Sequence, residues 1–542
     1  MPKKKNTLVK NASILMIASI ISRIIGLIYR RPLGAILGSV GLGYYGYASN
    51  LYTILLLISS YSIPMAVSKI VSEKLARKEY KNARVAFKGS LIYGCIVGGI
   101  GAFACLFLGR WLLPSNQLNA LPALRVLAPT IFFSAILGVL RGYFQAHRSM
   151  GPTSVSQIIE QILNAFVSVF AAWALIRTFA KDGGVDAAIY GAMGGTMGTG
   201  AGVLAGLAFM LFVYWVNRNY FARRAARDKS TDIDRYSDVY RELFFLMTPI
   251  ILTTFLNNAG PYLDGYLYSA IQGLHGVKDT VISAAYGEYS NYYTPVVGIP
   301  LALASASASA MMPELAAAFA VKEYDEGNRK VQQAIRLTMF ISIPSMVGMT
   351  ILAYPIMGVL FPASSNTASR LLFLGSLQVV FGAMTVVANS ALQSIGKQRA
   401  AMINCAAALG ANLVILVVLL GLFSKLDIYA VLAAGMSFPI VNSILSLMTM
   451  RKAMRFRLEW RKNFAEPLIA SAGMGFVTFL VYNLLFNLTR RPSIALIVSI
   501  LLAVFVYLIL YVLISGIKEE EIRSFPMGTR IVKLMRMLHI YR

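Results

Sequence analysis

Acidic residues are scarce in this chain. It has 23 aspartates and glutamates against 50 lysines and arginines, and charged residues of both signs make up only 13% of 542 positions. Cysteine and histidine are scarcer still, at three each. Each shortage excludes a class of chemistry. Cys95, Cys105 and Cys405 fall inside apolar segments without metal-ligand spacing, so they read as small core residues and not as a disulfide framework or a zinc site. His147, His275 and His539 lie far apart, at or beyond the ends of apolar segments, and form no His–Glu metal motif. A phosphate-binding glycine loop is missing, as is a pair of carboxylates suited to glycosyl transfer. We therefore expect no catalytic residue, no metal, no cofactor and no enzyme.

What the chain has in abundance is apolar sequence. Hydrophobic residues make up 57% of it and the mean hydropathy is +0.65, values that belong to a polytopic membrane protein. Segments of spanning length occur at roughly 11–35, 44–68, 89–113, 122–146, 152–178, 185–217, 240–271, 285–318, 331–359, 370–395, 401–424, 428–450, 465–488 and 493–516. About fourteen helices are expected. The net charge of +27 invites a nucleic-acid partner, but the basic residues sit almost wholly in loops between apolar segments, which excludes a nucleic-acid face. Alternate loops and the two ends hold 38 of the 50 lysines and arginines, and the opposite loops hold 9. That asymmetry puts both termini of a multi-pass membrane protein in the cytoplasm. Lys3, Lys4 and Lys5 ahead of an apolar run resemble a signal peptide, yet no small-residue cleavage site follows, so the run reads as a retained first helix.

A repeat divides the chain. Tyr45-Gly46-Tyr47-Ala48-Ser49-Asn50-Leu51-Tyr52-Thr53 recurs, 241 residues on, as Tyr286-Gly287-Glu288-Tyr289-Ser290-Asn291-Tyr292-Tyr293-Thr294. Lys78-Glu79-Tyr80 recurs as Lys322-Glu323-Tyr324 at an offset of 244. The pairs Pro114/Pro362, Gln145/Gln393 and Asn164/Asn412 share an offset of 248. The period covers an even number of helices, so the halves should be related by an axis along the membrane normal. The expected organisation is an N-lobe over 1–225, a C-lobe over 226–455, and two further helices with a basic tail over 456–542. The stretch between Asn217 and Tyr240, Arg-rich and then acidic, reads as a solvated linker or an amphipathic surface helix. The tail from Arg530 to Arg542 is basic and amphipathic, and should lie on anionic membrane lipids.

Polar residues at depth carry the functional reading. If the first helix begins near Asn11, about 1.5 Å per residue puts Arg23 roughly 18 Å in, close to mid-bilayer. Arg30 and Arg31 then fall near the far interface, with Pro32 placed to bend the helix. Arg23 and Arg30 are two turns apart and share a face. A central arginine costs about 2.5–3.5 kcal/mol to insert unless it faces protein or water. For Arg30 and Arg31 snorkelling and a polar-facing role are both open, but Arg23 is too deep for snorkelling and should face a polar interior. Asn50 and Asn291 occupy matching places in the repeat, either as inter-helix hydrogen-bond donors or as cavity-lining groups. Glu288 takes the slot of Tyr47. Asp264 follows Gly260-Pro261, which should break the seventh helix beside a buried carboxylate, a plausible cation or proton site. Asn404, Asn412 and Asn442 offer neutral oxygens, although each alone suits a structural role. Glu160 reads as an inter-helix partner, and the glycines from Gly194 to Gly206 as close-packing residues.

With these residues in view, the chain resembles the MOP-type exporters, and within them the MurJ-like lipid II flippases and polysaccharide-biosynthesis flippases, including the stage V sporulation protein B type. The likeness rests on six plus six helices, two extra C-terminal helices, and Ser22-Arg23-Ile24-Ile25-Gly26 in the first. The resemblance implies a MATE-like all-α membrane fold of about 14 helices. It also implies a cavity role for Arg23 and a substrate, an undecaprenyl-pyrophosphate-linked saccharide moved from the inner to the outer leaflet by alternating access. With the polar residues read above, the substrate-binding candidates are Arg23, Arg30, Arg31, Asn50, Glu288 and Asn291. Lipid II is the leading substrate; another lipid-linked polysaccharide intermediate is the alternative, and a MATE-like multidrug exporter a lesser one. Some members hold sodium between acids on the seventh and eleventh helices, where this chain has Asp264 and Asn404. With Asn412 these are the candidate ion-coupling residues, for Na+, H+ or the membrane potential. The chain departs from typical members in having Tyr29-Arg30-Arg31 after the motif and no arginine in the second or eighth helix. Cell-wall synthesis enzymes are the implied protein partners, and a non-transporting scaffold for them is the reading from a different class.

Overall fold

The computed structural model describes residues 18, 21–180, 183–228, 233–321, 323–516 and 532. Among these residues every regular element is helical. Eleven helices are long and apolar enough to cross a membrane, or twelve if the bent pair Asn366–Gly375 and Gln378–Ser394 is one span. The expected fourteen are therefore not reached among the described residues. The segment at 11–35 lies largely outside them, with 21–28 helical, and so does nearly all of the basic tail. The segment at 285–318 becomes the helix Thr294–Ala320, which is not one of the eleven.

The chain falls into two compact units, one holding residues up to Asn291 with Val417–Ile428, the other Tyr292–Leu416 with Tyr429–Arg542. In the first unit the boundary between the first two apolar segments differs from the sequence reading. No loop separates them: the helix Arg30–Leu56 runs through, and its one non-helical residue is Gly38, at φ 65° and ψ 175°. Only glycine reaches that region without strain of about 1–3 kcal/mol. The departure from the helical path thus lies at Gly38 and not at Pro32. The chain continues through a π-helical turn, Leu57–Tyr61, into the helix Ile63–Ala76.

Glycine spacing sets how the rest of this unit closes. The helices Gly151–Phe179 and Gly184–Ala226 lie in close contact along their length. A Cβ on Gly194, Gly198 or Gly202 would meet Ala172, Ser168 or the Glu160 carbonyl, so these glycines do serve close packing. In hydrocarbon, where exposure to lipid costs an apolar side chain little, such contact surfaces replace the hydrophobic effect as the source of helix association. Glu160 on the first of these helices accepts from Arg141 Nη2 at 2.7 Å, while Arg141 Nε donates to Ser156 Oγ at 2.9 Å. Both charges are partly buried, and each offsets the desolvation of the other.

The stretch expected as a solvated linker is built in at both ends. Its Arg-rich half continues the helix Gly184–Ala226, which is 43 residues long. Asp228 Oδ2 accepts the Lys81 N–H at 2.7 Å, Asn82 Oδ1 accepts the Asp234 N–H at 3.1 Å, and Lys74 pairs with Asp234 at 2.5 Å. The acidic run found partners in the basic loop at 74–82, which hydropathy alone could not pair with it.

The seventh segment breaks where expected: Tyr236–Asn258 ends, Ala259 intervenes, and Gly260–Leu274 begins with Pro261 in its first turn. In the second unit the helices Tyr324–Ile351, Gln378–Ser394 and Ile428–Met454 enclose Val331, Ile335, Met339, Met384 and Val387. The final pair, Glu466–Thr489 and Pro492–Ser515, packs together and against Tyr324–Ile351. Arg336 Nε reaches Tyr511 Oη at 3.4 Å and Asn463 Nδ2 donates to Gln332 Oε1 at 2.7 Å, fixing that appendage.

Candidate substrate-handling site

The two copies of the tyrosine-rich motif come together within the first unit. Tyr47 of the first copy stacks on Tyr286 of the second, with ring centroids 4.3 Å apart and planes at 20°. Backbone proximity allows this. A Cβ on Gly43 would run into the Ser283 main chain, and one on Gly287 would meet the Gly43 nitrogen and Ser39 carbonyl. The helices Arg30–Leu56 and Asp279–Glu288 can lie this close only because both contact positions lack a side chain.

Around that contact the polar groups satisfy one another. Asn50 Nδ2 donates to Tyr286 Oη at 2.7 Å, and Tyr286 Oη donates to the Pro261 carbonyl at 2.7 Å, at the break in the seventh segment. Asn291 Nδ2 donates to the Leu42 carbonyl and to Ser290 Oγ, both at 2.9 Å. Arg30 Nη1 donates to the Asn291 carbonyl at 3.1 Å. Asn291 belongs to a π-helical turn, Tyr289–Tyr293, a widened form that recurs at functional positions. Ser39 Oγ donates to Glu288 Oε1 at 3.4 Å, and Glu288 is buried.

Four of the six substrate-binding candidates, Arg30, Asn50, Glu288 and Asn291, thus meet at one place. Arg23 and Arg31 lie on the same helical run with exposed side chains. Asp264 is buried at the start of Gly260–Leu274, and its neighbour Gly265 packs on the Tyr286 ring. Asn404 and Asn412 belong to the second unit. Asn404 Nδ2 donates to Ser446 Oγ at 3.3 Å and Thr449 Oγ1 at 3.1 Å, in a buried network with Asn389, Cys405 and Asn442. Asn412 is buried further along the same helix.

Several participants carry no distinguishing mark in the sequence. There Tyr47 and Tyr286 are simply members of the repeat, although they are its hub. Asp427, held at φ 48°, accepts from Tyr268 Oη at 2.5 Å and from Gln272 Nε2 at 3.3 Å. Asn116 and Gln117 bond Ser269 and Ser283 from the short 3-10 turn Ser115–Ala120. Only the turn-forming context of Ser115 and Asn116 hinted at these, because such stitches depend on which helices become neighbours. Chemically the assembly is a set of hydrogen bonds made mostly by neutral groups, with Arg30, Glu288 and Asp427 as ionisable members that bond neutral partners. At about 1 kcal/mol net each, such bonds hold helices together and can be exchanged without separating opposite charges.

The comparisons with known proteins agree with this architecture. The family model described as polysaccharide biosynthesis protein matches residues 8–319. Lipid II flippase MurJ of Bacillus subtilis (strain 168) is 25% identical over 417 residues, 73% of this chain and 74% of that protein. Stage V sporulation protein B of the same organism is 22% identical over 553 residues, covering 97% and 99%. Among solved structures, lipid II flippase MurJ in an inward closed conformation superposes with a TM-score of 0.66 at 15% identity, over 92% of this chain and 98% of that one. A multidrug resistance MATE family transporter of the MOP superfamily, inward-facing, gives a TM-score of 0.62 at 13% identity, over 83% and 98%. With more than half of its length matched by the family model, and with these folds as neighbours, the chain belongs to the polysaccharide biosynthesis protein family and has the fold of the MOP superfamily.

Proposed function

We propose that this protein is a flippase that moves an undecaprenyl-pyrophosphate-linked cell-wall precursor, lipid II first among them, from the inner to the outer leaflet of the bacterial plasma membrane. The observation that carries the reading is Arg30. Its guanidinium is half-buried in an apolar unit and bonds a carbonyl instead of a carboxylate, so an arriving anion meets a cation that no ion pair among the described residues neutralises. A pyrophosphate accepts bidentate guanidinium contacts, and Arg23 and Arg31 on the same run supply two more. The likeness to a lipid II flippase supports the substrate class. Both termini are cytoplasmic in this reading, and Asp264 is the candidate for ion coupling. The membrane potential, positive outside, returns an empty cationic site inward with about 2.3 kcal/mol per charge per 100 mV.

A second reading, another lipid-linked polysaccharide intermediate, is favoured by one feature: the eighth segment holds Glu288 and no arginine, unlike the MurJ-like proteins it resembles. One experiment separates the two. If the gene restores growth to a strain depleted of its lipid II flippase, the first reading stands. If it does not, while the purified protein flips other undecaprenyl-pyrophosphate saccharides in vesicles, the second stands.

A further inference from the structure

A cavity of about 170 Å³ lies in the first unit, at the end that carries the basic loops and away from the motif contact. Arg84, Arg218 and Arg224 line it, together with His147 and the rings of Tyr80 and Tyr143. Four helices contribute, so the clustering is a product of tertiary structure. Arg224 is half-buried: its guanidinium lies 4.8 Å from the Tyr80 ring centre and 5.3 Å from that of Tyr220, and Nη2 reaches Tyr80 Oη at 3.5 Å. His147 Nδ1 bonds the Tyr143 carbonyl at 2.9 Å. The imidazole is wedged between Tyr143 and Phe221, at 4.5 and 4.8 Å between ring centres. With Nδ1 donating to a carbonyl, Nε2 is the nitrogen left for another partner.

Among the described residues none of the three arginines forms an ion pair. Three like-charged side chains line one small cavity, the half-buried Arg224 with the exposed Arg84 and Arg218, and water or an anion between them relieves their repulsion. The internal repeat provides a comparison. At the offset of 244 that relates Tyr80 to Tyr324, Arg84 corresponds to Asn328, Lys81 to Asp325 and Asn82 to Glu326. The second unit also has a cavity there, but in it Glu323, Asp325 and Glu326 balance Arg329, Lys452 and Arg455, and Glu326 pairs with Arg329 at 3.5 Å. Asn328 Nδ2 is spent on the Met454 carbonyl. Of these two cavities, the first has three arginines and no acid in its lining, whereas the second matches its basic residues with acids.

We propose that this cavity is a binding site for a phosphate group, offered either by an anionic lipid headgroup or by a small soluble phosphate. The guanidinium forks match phosphate oxygens. A monoester that keeps a proton near neutral pH can also donate to His147 Nε2. The aromatic floor accommodates the carbon of the ester. The site is separate from the substrate reading above and does not depend on it.

The test uses the full-length purified chain, stripped of lipid in detergent, with phosphatidic acid, phosphatidylcholine and inorganic phosphate as probes. Lipid binding is counted by native mass spectrometry and phosphate binding by the shift in melting temperature. We expect the native chain to prefer phosphatidic acid to phosphatidylcholine by about tenfold, and Arg84→Gln/Arg224→Gln to lose that preference. Arg329→Gln/Arg455→Gln in the second unit should keep it. If inorganic phosphate stabilises the native chain but not the double variant, and phosphatidic acid shows no preference, the source is a soluble phosphate and the site stands. Arg84→Gln alone, a change of an exposed side chain, guards against misfolding of the double variant and should weaken binding about threefold. Equal binding of both probes by native chain, single variant and double variant overturns the proposal.

Discussion

Arg23 and Arg30 lie two turns apart on one helical run, yet the structure treats them differently. Arg30 is anchored to the Asn291 carbonyl, whereas the Arg23 side chain is exposed on the protein surface. An arginine exposed within an apolar run is tolerated at modest cost only where water or a polar group reaches it. We expect Arg23→Ala to abolish flipping and Arg23→Lys to impair it severely, both with normal insertion, because lysine keeps the charge and loses the fork. Reconstituted vesicles read this directly; full support of growth by Arg23→Ala would remove the residue from the site. Asp264→Asn tests a different role, and should abolish ion or pH dependence of transport while leaving the protein folded. If only melting temperature falls, the carboxylate is structural.

Tyr286 is the residue through which the motif copies are joined, and its hydroxyl both accepts and donates. Replacing it with Phe leaves Asn50 without its acceptor and the Pro261 carbonyl without its donor. We expect a loss of about 1–3 kcal/mol in stability, because a buried polar group left unmade costs its desolvation. Tyr47→Phe, which keeps the stacked ring, serves as the comparison. Neither tyrosine could be ranked from its sequence, where the repeat gave every aromatic in the motif equal weight.

At the scale of elements, close helix contact depends on positions without side chains. Gly43→Val should drive apart the helices Arg30–Leu56 and Asp279–Glu288 and cost several kcal/mol, since the obstacle is the Ser283 main chain and not a movable side chain. A Cβ at Gly38 meets nothing within 4 Å, so Gly38→Ala costs only the backbone strain of φ 65°, about 1–3 kcal/mol. Comparing their melting temperatures separates packing from conformation.

His147, just past the helix Leu121–Ala146, adds a pH dependence. Burial, and then the nearby Arg224 charge, push its imidazole below the ordinary range, against the pull of the Tyr143 carbonyl. The groups facing it are Arg84, Arg218, Arg224, Tyr80, Tyr143 and Tyr214. The unfolded chain therefore takes up this proton first. Stability is complete above about pH 6.5 and falls as pH drops through that value toward the lower folded pKa. In phosphate-free buffer the melting temperature should decline from pH 7.5 to 5.5, and His147→Gln should flatten the decline.

At the scale of the whole molecule, the loop charges make a claim that any helix count must respect. The loops at 69–88, 217–240 and 451–464 share the basic set, so we expect cysteines placed there to escape an impermeant label applied outside intact cells. Labelling within 217–240 would break the assignment. The salt bridge and hydrogen bonds that tie Lys74, Lys81 and Asn82 to Asp228 and Asp234 join two of these loops on one side, as the charge pattern requires.

By itself the sequence determined the all-helical membrane class, the break at Gly260-Pro261, the close-packing glycines and the presence of a repeat. Those follow from local physics: span length, backbone freedom and the cost of charge in hydrocarbon. Tertiary structure alone decided that Tyr47 stacks on Tyr286, that Asn50 and Asn291 bond across helices, and that the linker is docked. It also decided that Arg84, Arg218 and Arg224 converge on one cavity. These outcomes join residues up to 261 positions apart, and no periodicity within one helix specifies which face of another it will meet. Because lipid leaves apolar faces nearly indifferent to their partners, the choice fell to backbone proximity at a few glycines and to polar groups whose unmet hydrogen bonds hydrocarbon cannot supply.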